Sequence, residues 1–594
     1  MNVEKYILNQ LTKPKYDSKD ISVALIGLGP HAKRIYLNYF KKHKVSLALV
    51  VDLESKKDEV KKYLKDNSFK NTRVYTLKDE FKDNENLSKQ DADNLLAICK
   101  TFEITHIIIS TEPKAHNMYI EFALKNNINV LTDKPITVTK NMTSIKSINK
   151  IRNQYYNILK LAEDSNARCN VMCQRQYHRG YEYIKKLLTE IVDKYKIPIT
   201  YIDIYHCDGN WEMPHDLNKE NHPYKYGYGK LFHSGYHFID LLSDFIKINQ
   251  RLEGTKKITK GEVYSDFFTP NDEINVFNIE DFKRIFKDQN IPAYYDKNEK
   301  PKFKNYGEKN YYGSLNFYNS YSQLITHVNL NLLHYGFSRR GWIETRPFYK
   351  NNGRIRHERI NIQVGTLLNI QVHSYQSKEI KDRTDIHSEE QVGGLEHFDI
   401  DIYRNVDVIG GKPFERISLG DLYSNKEKEK MLGYNELSRE VYLNNFFKGK
   451  CDKGDIRNQS LSIEILYSCA LGLHNYYHNK KKTEKIVVRN ENMNQIKIAE
   501  LKKYSIRCNI NENKVMINTY EQTGEQYDFG VVINQFNNTK DYEIYLYISD
   551  EADIASMLLY KKIKTKLFAR LYYNWLKHYA KSQNIKKITR LLEI

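Results

Sequence analysis

Between residues 20 and 135 short apolar runs alternate with helical patterns, the order expected of βαβ units and a parallel sheet. Ser22 to Ile26 (SVALI) reads as a buried strand that stops at Gly27. A helix pattern runs from Pro30 to His43, and Ser46 to Val51 (SLALVV) is a second strand ending at Asp52. His106 to Ile109 is another strand, a helix passes through Met118–Ile120 and Phe122–Leu124, and Asn129 to Leu131 is one more strand. The polar, lysine-rich stretch from Ser68 to Ala92 reads as an enlarged surface loop around a short strand.

Beyond residue 197 the period changes to alternation, at Ile199 to His206, Gly313 to Phe317, Gln323 to Leu332 and Arg359 to Val372. With a helix near Phe238 to Phe245, this predicts a second domain built on a mostly antiparallel sheet. The helical pattern from Leu461 to Tyr477 closes it. After Arg489 a tail carries strands at Val515 to Thr519 and Glu543 to Ile548, then long basic helices from Ala552 onward. The expected organisation is an arm (1–19), an α/β domain (20–173), an α+β domain with a large, mostly antiparallel sheet (174–488) and an α+β extension (489–594).

Bulk properties refine this modestly. At 594 residues the chain exceeds what one hydrophobic core serves, so two or three domains are expected. No stretch approaches the roughly 18 apolar residues of a membrane span. The opening residues MNVEKYILNQLTKPKYD lack a signal-peptide pattern. With seven scattered cysteines and no paired CxxC spacing, reduced thiols in a cytoplasmic protein are the expectation. The net charge of +19 is spread along the chain, which fits solvated lysine faces rather than a nucleic-acid surface, and no nucleic-acid partner is expected.

The chemistry begins at Gly27-Leu28-Gly29-Pro30-His31-Ala32, a GxGxxA turn between a strand and a helix. Gly27 permits the tight turn, Gly29 lets a pyrophosphate approach the backbone, and Ala32 is small enough for close helix–strand packing. Pro30 suits the first helical position, and the helix start offers N–H groups to phosphates, with His31 beside them. Asp52, at the end of the second strand, has the spacing of the acid that binds ribose hydroxyls, which favours NAD. Lys56 and Lys57 just beyond it keep NADP open as the alternative. These features together predict a Rossmann dinucleotide-binding domain at the N-terminus.

Ser110-Thr111-Glu112-Pro113, His116 and Thr132-Asp133-Lys134-Pro135 follow strands whose ends border the cofactor crevice of such a sheet, so Lys134 points toward the nicotinamide side. In the glycine-rich stretch Gly227 to Leu242, His233 and His237 are four apart and share a face if helical. Paired core histidines remain an alternative. So does a metal site with His206, His215 and His222, although no HExxH pattern supports one and no metal is expected.

Together GLGPHA, STEPKAH, VLTDKPIT, the His237 segment, CQRQYH and GYNELSREVYLNNFFKGK resemble the Gfo/Idh/MocA family, which includes inositol dehydrogenases and glucose–fructose oxidoreductase. The resemblance spans roughly residues 20 to 488. It implies an oxidoreductase acting on a hydroxyl or carbonyl of a sugar, cyclitol or sugar derivative. Lys134 then orients and polarises the substrate oxygen, and His237 exchanges a proton with the substrate hydroxyl. His233, Arg175 and Gln174 become substrate contacts. Gly27, Gly29, Pro30, His31, Ala32, Asp52, Thr111, Pro113, His116 and Asp133 hold the dinucleotide, and copies assemble through the second-domain sheet.

Two departures stand out. Asp133 replaces the usual glutamate and keeps the charge. His233 stands where the family has an aspartate, which admits a proton relay, a more acidic substrate or loss of the usual reaction. Two other readings of the resemblance remain open. One is a glycoside hydrolase that retains NAD, and the other is a non-catalytic sensor like the family's galactose-pathway repressor. In the tail, Ala555 to Lys581 mixes apolar and basic residues as an amphipathic helix would, its stripe packed on its own domain.

Overall fold

The computed structural model describes residues 21–209, 217, 224–277, 279–286, 300–334, 336, 356–376, 396–423, 434–478, 483–487, 505–511, 514–520, 526–535, 542–550 and 553–563. They fall into two compact units, one within Lys15–Arg489 and one within Asn490–Ile594.

The first unit opens with β1 (Ser22–Ile26), β2 (Ser46–Leu53), β3 (Arg73–Leu77), β4 (His106–Ile109), β5 (Asn129–Thr132) and β6 (Cys169–Val171). All pair in parallel, in the order β3-β2-β1-β4-β5-β6. That order reverses direction between β1 and β4, the switch point where such sheets bind dinucleotides. β1 and β4 are buried on both faces because helices cover both sides, which is why they read as unbroken apolar runs. Pro30–Ala32, a π-helical turn at Lys33–Leu37 and Asn38–His43 follow one another as a single helix, α1. Its apolar face (Ile35, Tyr36, Tyr39, Phe40) meets Tyr442, Leu443, Phe446 and Phe447 of α2 (Tyr434–Phe447) in one core. A late segment of the chain thus returns to cover the first domain. Tyr39 stacks on Phe447 and donates to Asn444 Oδ1 at 2.8 Å.

The second sheet runs β14-β13-β12-β11-β7-β10-β9-β8-β15. The strands are β7 (Ile199–Cys207), β8 (Lys260–Phe268), β9 (Asn310–Tyr318), β10 (Leu324–Leu333), β11 (Arg356–Val364), β12 (Leu368–Gln376), β13 (Glu396–Arg404), β14 (Phe414–Ser418) and β15 (Thr483–Val487). Every pairing is antiparallel except β7 with β10. The alternation from Arg359 to Val372 is therefore two strands, not one. Val364 pairs with Leu368 across a turn in which Gly365 takes φ +47°, and period-2 alternation runs through a tight hairpin unbroken.

In the second unit β16 (Ser505–Asn511), β17 (Lys514–Tyr520), β18 (Gln526–Gln535), β19 (Tyr542–Asp550) and β20 (Asp553–Ile563) form an antiparallel meander. The expected helix from Ala552 is a strand up to Ile563. Asp550 pairs with Asp553, and the alternating YEIYLYI of β19 offers an edge that β20 completes. The rest of that expected helix, the arm 1–19, and His215 and His222 lie outside the described residues. Among the described residues no helix is long and apolar enough to cross a membrane.

Candidate active site

The glycine turn is shaped by contacts on one side and open space on the other. Gly27 has φ +86°, and a Cβ there would sit 2.7 Å from the Ser110 carbonyl oxygen and 2.9 Å from Thr111 Cγ2. At Gly29 a Cβ meets nothing within 4 Å. Gly29 precedes the helix without a side-chain cap, so the helix-start N–H groups have no side chain supplied for them. Asp52 Oδ2 accepts from the Leu28 N–H at 2.8 Å and Oδ1 from the Leu53 N–H at 2.8 Å. The carboxylate is thereby locked to the turn while each oxygen keeps a lone pair for a ribose hydroxyl. Open space, uncapped N–H groups and a fixed carboxylate at the switch point fit a dinucleotide. Pro30, His31 and Ala32 begin α1, with the His31 side chain 44% exposed, enough to reach a ligand.

Thr111 and Pro113 follow β4 at the same edge. His116 is fully buried behind them, and its ring nitrogens lie 3.1 Å from the Thr111 carbonyl and 3.0 Å from the Pro135 carbonyl. It ties the two crevice loops together from behind rather than facing the crevice. Asp133 is likewise engaged, accepting from Tyr36 at 2.5 Å and Ser110 at 2.6 Å, with His31 Nε2 3.6 Å away. Burial opposes its ionisation, but His31 and these hydrogen bonds hold its carboxyl well below the usual range. Tyr36 sits in the π turn of α1, so Asp133 clamps the dinucleotide helix to the segment bearing Lys134.

Lys134 Nζ donates to the His233 carbonyl at 3.0 Å. This brings together two residues 99 apart in sequence. Burial, helped by Lys230 and Arg439 and opposed by Asp133 and Asp208, pulls its pKa down to about 8. His237 lies one residue into α3 (Tyr236–Asn249). His233 sits in the turn before Gly235, so the two imidazoles do not share a helical face. Gln174 Nε2 lies 3.4 Å from His237 Nε2, and His237 Nδ1 is buried with no hydrogen-bond partner. Burial, then the charges of Lys134, Arg175, Arg439 and His31, drive His237 well below its ordinary pKa, so the ring is neutral.

Gln174 and Arg175 belong to a 3₁₀ turn after β6. Arg175 forms a two-pronged ion pair with Glu358, which also accepts from Tyr181 at 2.9 Å, and its guanidinium stacks on Phe238 at 4.3 Å. The structure thus commits Arg175 to an internal partner. Glu358 faces His206 across the β7–β11 pair.

Beside it lies a buried group that the sequence reading missed. Lys230, fully buried, donates to Asp208 Oδ2 at 2.6 Å, His206 Nδ1 at 2.8 Å and Ser234 Oγ at 2.8 Å, and Ser234 donates to Asp208 at 2.5 Å. This cluster staples the His233 turn to the end of β7. The available signal was a lysine set between apolar Tyr228 and Phe232 in a glycine-rich stretch. Its partner, Asp208, carries no local signature. Among the described residues no group of three His, Cys, Asp or Glu side chains is placed to hold a metal ion.

Comparison with known proteins bears on the N-terminal domain. No curated protein matches the chain. Similar solved structures include an aldose-aldose oxidoreductase from Caulobacter crescentus complexed with glycerol (12% identity, 78% of this chain and 99% of that one, TM-score 0.45). The WlbA dehydrogenase from Bordetella pertussis in complex with NADH and UDP-GlcNAcA is similar at 11% identity over 79% of this chain and 98% of that one, TM-score 0.44. An oxidoreductase from Agrobacterium radiobacter in complex with NAD+, L-tartaric acid and magnesium is similar at 10% identity over 79% and 98%, TM-score 0.44. Residues 21–162 match the Gfo/Idh/MocA family model, described as an oxidoreductase family with an NAD-binding Rossmann fold. The sheet order, the glycine turn and this match agree that residues 21–162 form an NAD-binding Rossmann domain similar to that of the family model.

Proposed function

We propose that the chain is an NAD(P)-dependent oxidoreductase that acts on a hydroxyl or carbonyl of a sugar, cyclitol or sugar derivative. Lys134 and His237 form its reaction centre. The observation that carries this reading is the convergence at one crevice of a depressed-pKa lysine and a neutral imidazole whose Nδ1 has no partner. Such a pair is what alcohol oxidation requires.

A bound nicotinamide supplies the hydride acceptor. The Lys134 ammonium orients the substrate oxygen by hydrogen bonding and stabilises negative charge developing on it. Neutral His237 takes the hydroxyl proton as the C–H bond breaks and the carbonyl forms, and it returns the proton in the reverse direction. Gln174 holds the ring from 3.4 Å, its side-chain amide turned so that the oxygen accepts from His237 Nε2–H, which leaves Nδ1 as the basic nitrogen. Gly27, Gly29 and the start of α1 hold the pyrophosphate, Asp52 the ribose, and Thr111 and Pro113 line the nicotinamide end. Exposed Tyr264, Tyr312, Tyr403 and Phe414 on the nine-stranded sheet support assembly of copies through that face.

The test is to purify the protein, identify any retained dinucleotide, and follow nicotinamide absorbance with cyclitols and sugar derivatives. Turnover in wild type that is lost in Lys134→Ala and His237→Ala supports the assignment. Sugar release without net NADH replaces it with the hydrolase reading. Dinucleotide binding with neither activity leaves the sensor.

A further inference from the structure

The turn that carries His233 is organised around Lys230. The Lys230 carbonyl accepts from the Gly235 N–H at 2.9 Å and, shared with the Gly229 carbonyl, from the His233 N–H at 3.2 Å. Its own N–H donates to the Glu308 carbonyl at 3.0 Å, just before β9. Its buried ammonium donates to Asp208 and His206 at the end of β7 and to Ser234 Oγ. The His233–Ser234 peptide is thus gripped from both sides, through the His233 N–H before it and the Ser234 hydroxyl and Gly235 N–H after it. The packing is close, since a Cβ on Gly235 would fall 2.5 Å from the Lys230 carbonyl oxygen. The carbonyl of this same peptide is the one that accepts from Lys134 Nζ at 3.0 Å. An ammonium offers only donors, so His206 Nδ1 accepts from Lys230 and the ring proton sits on Nε2, 4.0 Å from Asp208 Oδ1 and from Glu358 Oε1. His334 Nδ1 lies 3.5 Å from Asp208 Oδ2, and Arg175 offsets the charge of Glu358.

We infer that Lys230 is a positioning residue for Lys134: by fixing the plane of the His233–Ser234 peptide, it aims the carbonyl that anchors the Lys134 ammonium. This deepens the proposed oxidoreductase reading and rests on it for the role of Lys134. A buried ion pair adds little stability over apolar side chains of the same volume, and what the Lys230–Asp208 pair supplies is direction. One N–H of the Lys134 ammonium is committed to the His233 carbonyl, which leaves two donors for the substrate oxygen on a fixed bearing. The same groups act on Lys134 through their charge. Asp133 and Asp208 favour its ammonium, Lys230 and Arg439 oppose it, and neutral His237 adds no charge.

The experiment compares wild type with Ser234→Ala, which removes one grip on the peptide, with Lys230→Met, and with Lys230→Met/Asp208→Asn, which removes both charges. Two quantities are read. One is kcat with the cyclitols and sugar derivatives, and the other is acetylation of the partly exposed Lys134 by acetic anhydride against pH, followed by mass spectrometry. Misplacing a catalytic group by about 1 Å costs on the order of 100-fold, so kcat is expected to fall about 10- to 100-fold in the double variant and less in Ser234→Ala. The acetylation midpoint, near 8 in wild type, rises in Lys230→Met, where Asp208 acts unopposed by Lys230, and returns toward 8 in the double variant. The limiting acetylation rate changes in all three, because the amine is no longer held to an aimed carbonyl. NADH affinity and thermal melting report the fold; a purely structural lysine lowers the melting temperature and leaves kcat and acetylation alone. If Ser234→Ala and the double variant turn over and label like wild type, the inference is overturned, and should the double variant not fold, Ser234→Ala decides by itself. If wild type oxidises nothing, the oxidoreductase reading fails, while altered labelling still upholds the role of Lys230 and unaltered labelling overturns it.

Discussion

Gly29→Ala separates cofactor binding from folding. Gly29 has φ −76° and ψ 179°, which alanine adopts without strain, and the added Cβ meets no atom within 4 Å. Alanine is a poorer N-cap than glycine, so a cost of about 1 kcal/mol is expected, or a melting shift of about 2–4 °C. The open space is where a pyrophosphate must approach the backbone. Losing one charge-assisted hydrogen bond there weakens binding by about 1.5–3 kcal/mol, roughly 10- to 100-fold. Gly27→Ala is the opposite case. Left-handed backbone costs about 1–2 kcal/mol and overpacking about 1–3 kcal/mol more, because its Cβ falls 2.7 Å from a carbonyl oxygen. NADH fluorescence titration and thermal melts on both variants read the two quantities independently. Gly29→Ala that binds NADH like wild type, or that melts as early as Gly27→Ala, would falsify this account of the turn.

Three further outcomes follow from the buried charges. With Lys134 at about 8, its ammonium is present below that pH and lost above it, so oxidation rates should fall as pH rises through about 8; a profile flat to pH 10 removes Lys134 from the chemistry. Glu308 is fully buried with one carboxyl oxygen lacking a partner, and burial raises its pKa to about 7. Folding therefore favours its protonated form, and the resulting penalty is absent below about 4.5, grows to about pH 7 and is complete above. Glu308→Gln should then stabilise by about 2–3 kcal/mol at pH 8 and very little at pH 4.5, and denaturant midpoints showing equal gains contradict it. Glu358→Gln leaves Arg175 buried without its counter-charge and should cost about 3–5 kcal/mol in a denaturation series; unchanged stability with only a raised KM would return Arg175 to the substrate.

The local features of this protein were legible in its sequence. The strand β1, the Gly27–Gly29 turn, the start of α1 and Asp52 lie within some thirty residues, and backbone sterics leave few alternatives for that pattern. The same holds for the alternation that marks the second sheet. What the sequence leaves open is set by register and return of the chain. His206 faces Glu358 because β11 lies antiparallel beside β7, and Glu358 meets Arg175 only through that pairing. Lys230 finds Asp208 across 22 residues because a turn folds back on a strand end. Arg34 meets Glu436 because α2 packs on α1 some 400 residues earlier in the chain. Even the end of the meander shows the limit, since Asp553–Ile563 has residues a helix would accept and becomes a strand because β19 offers an unpaired edge. Charge neutralisation in a low-dielectric interior depends on which side chains meet, and that is decided only when distant segments pack.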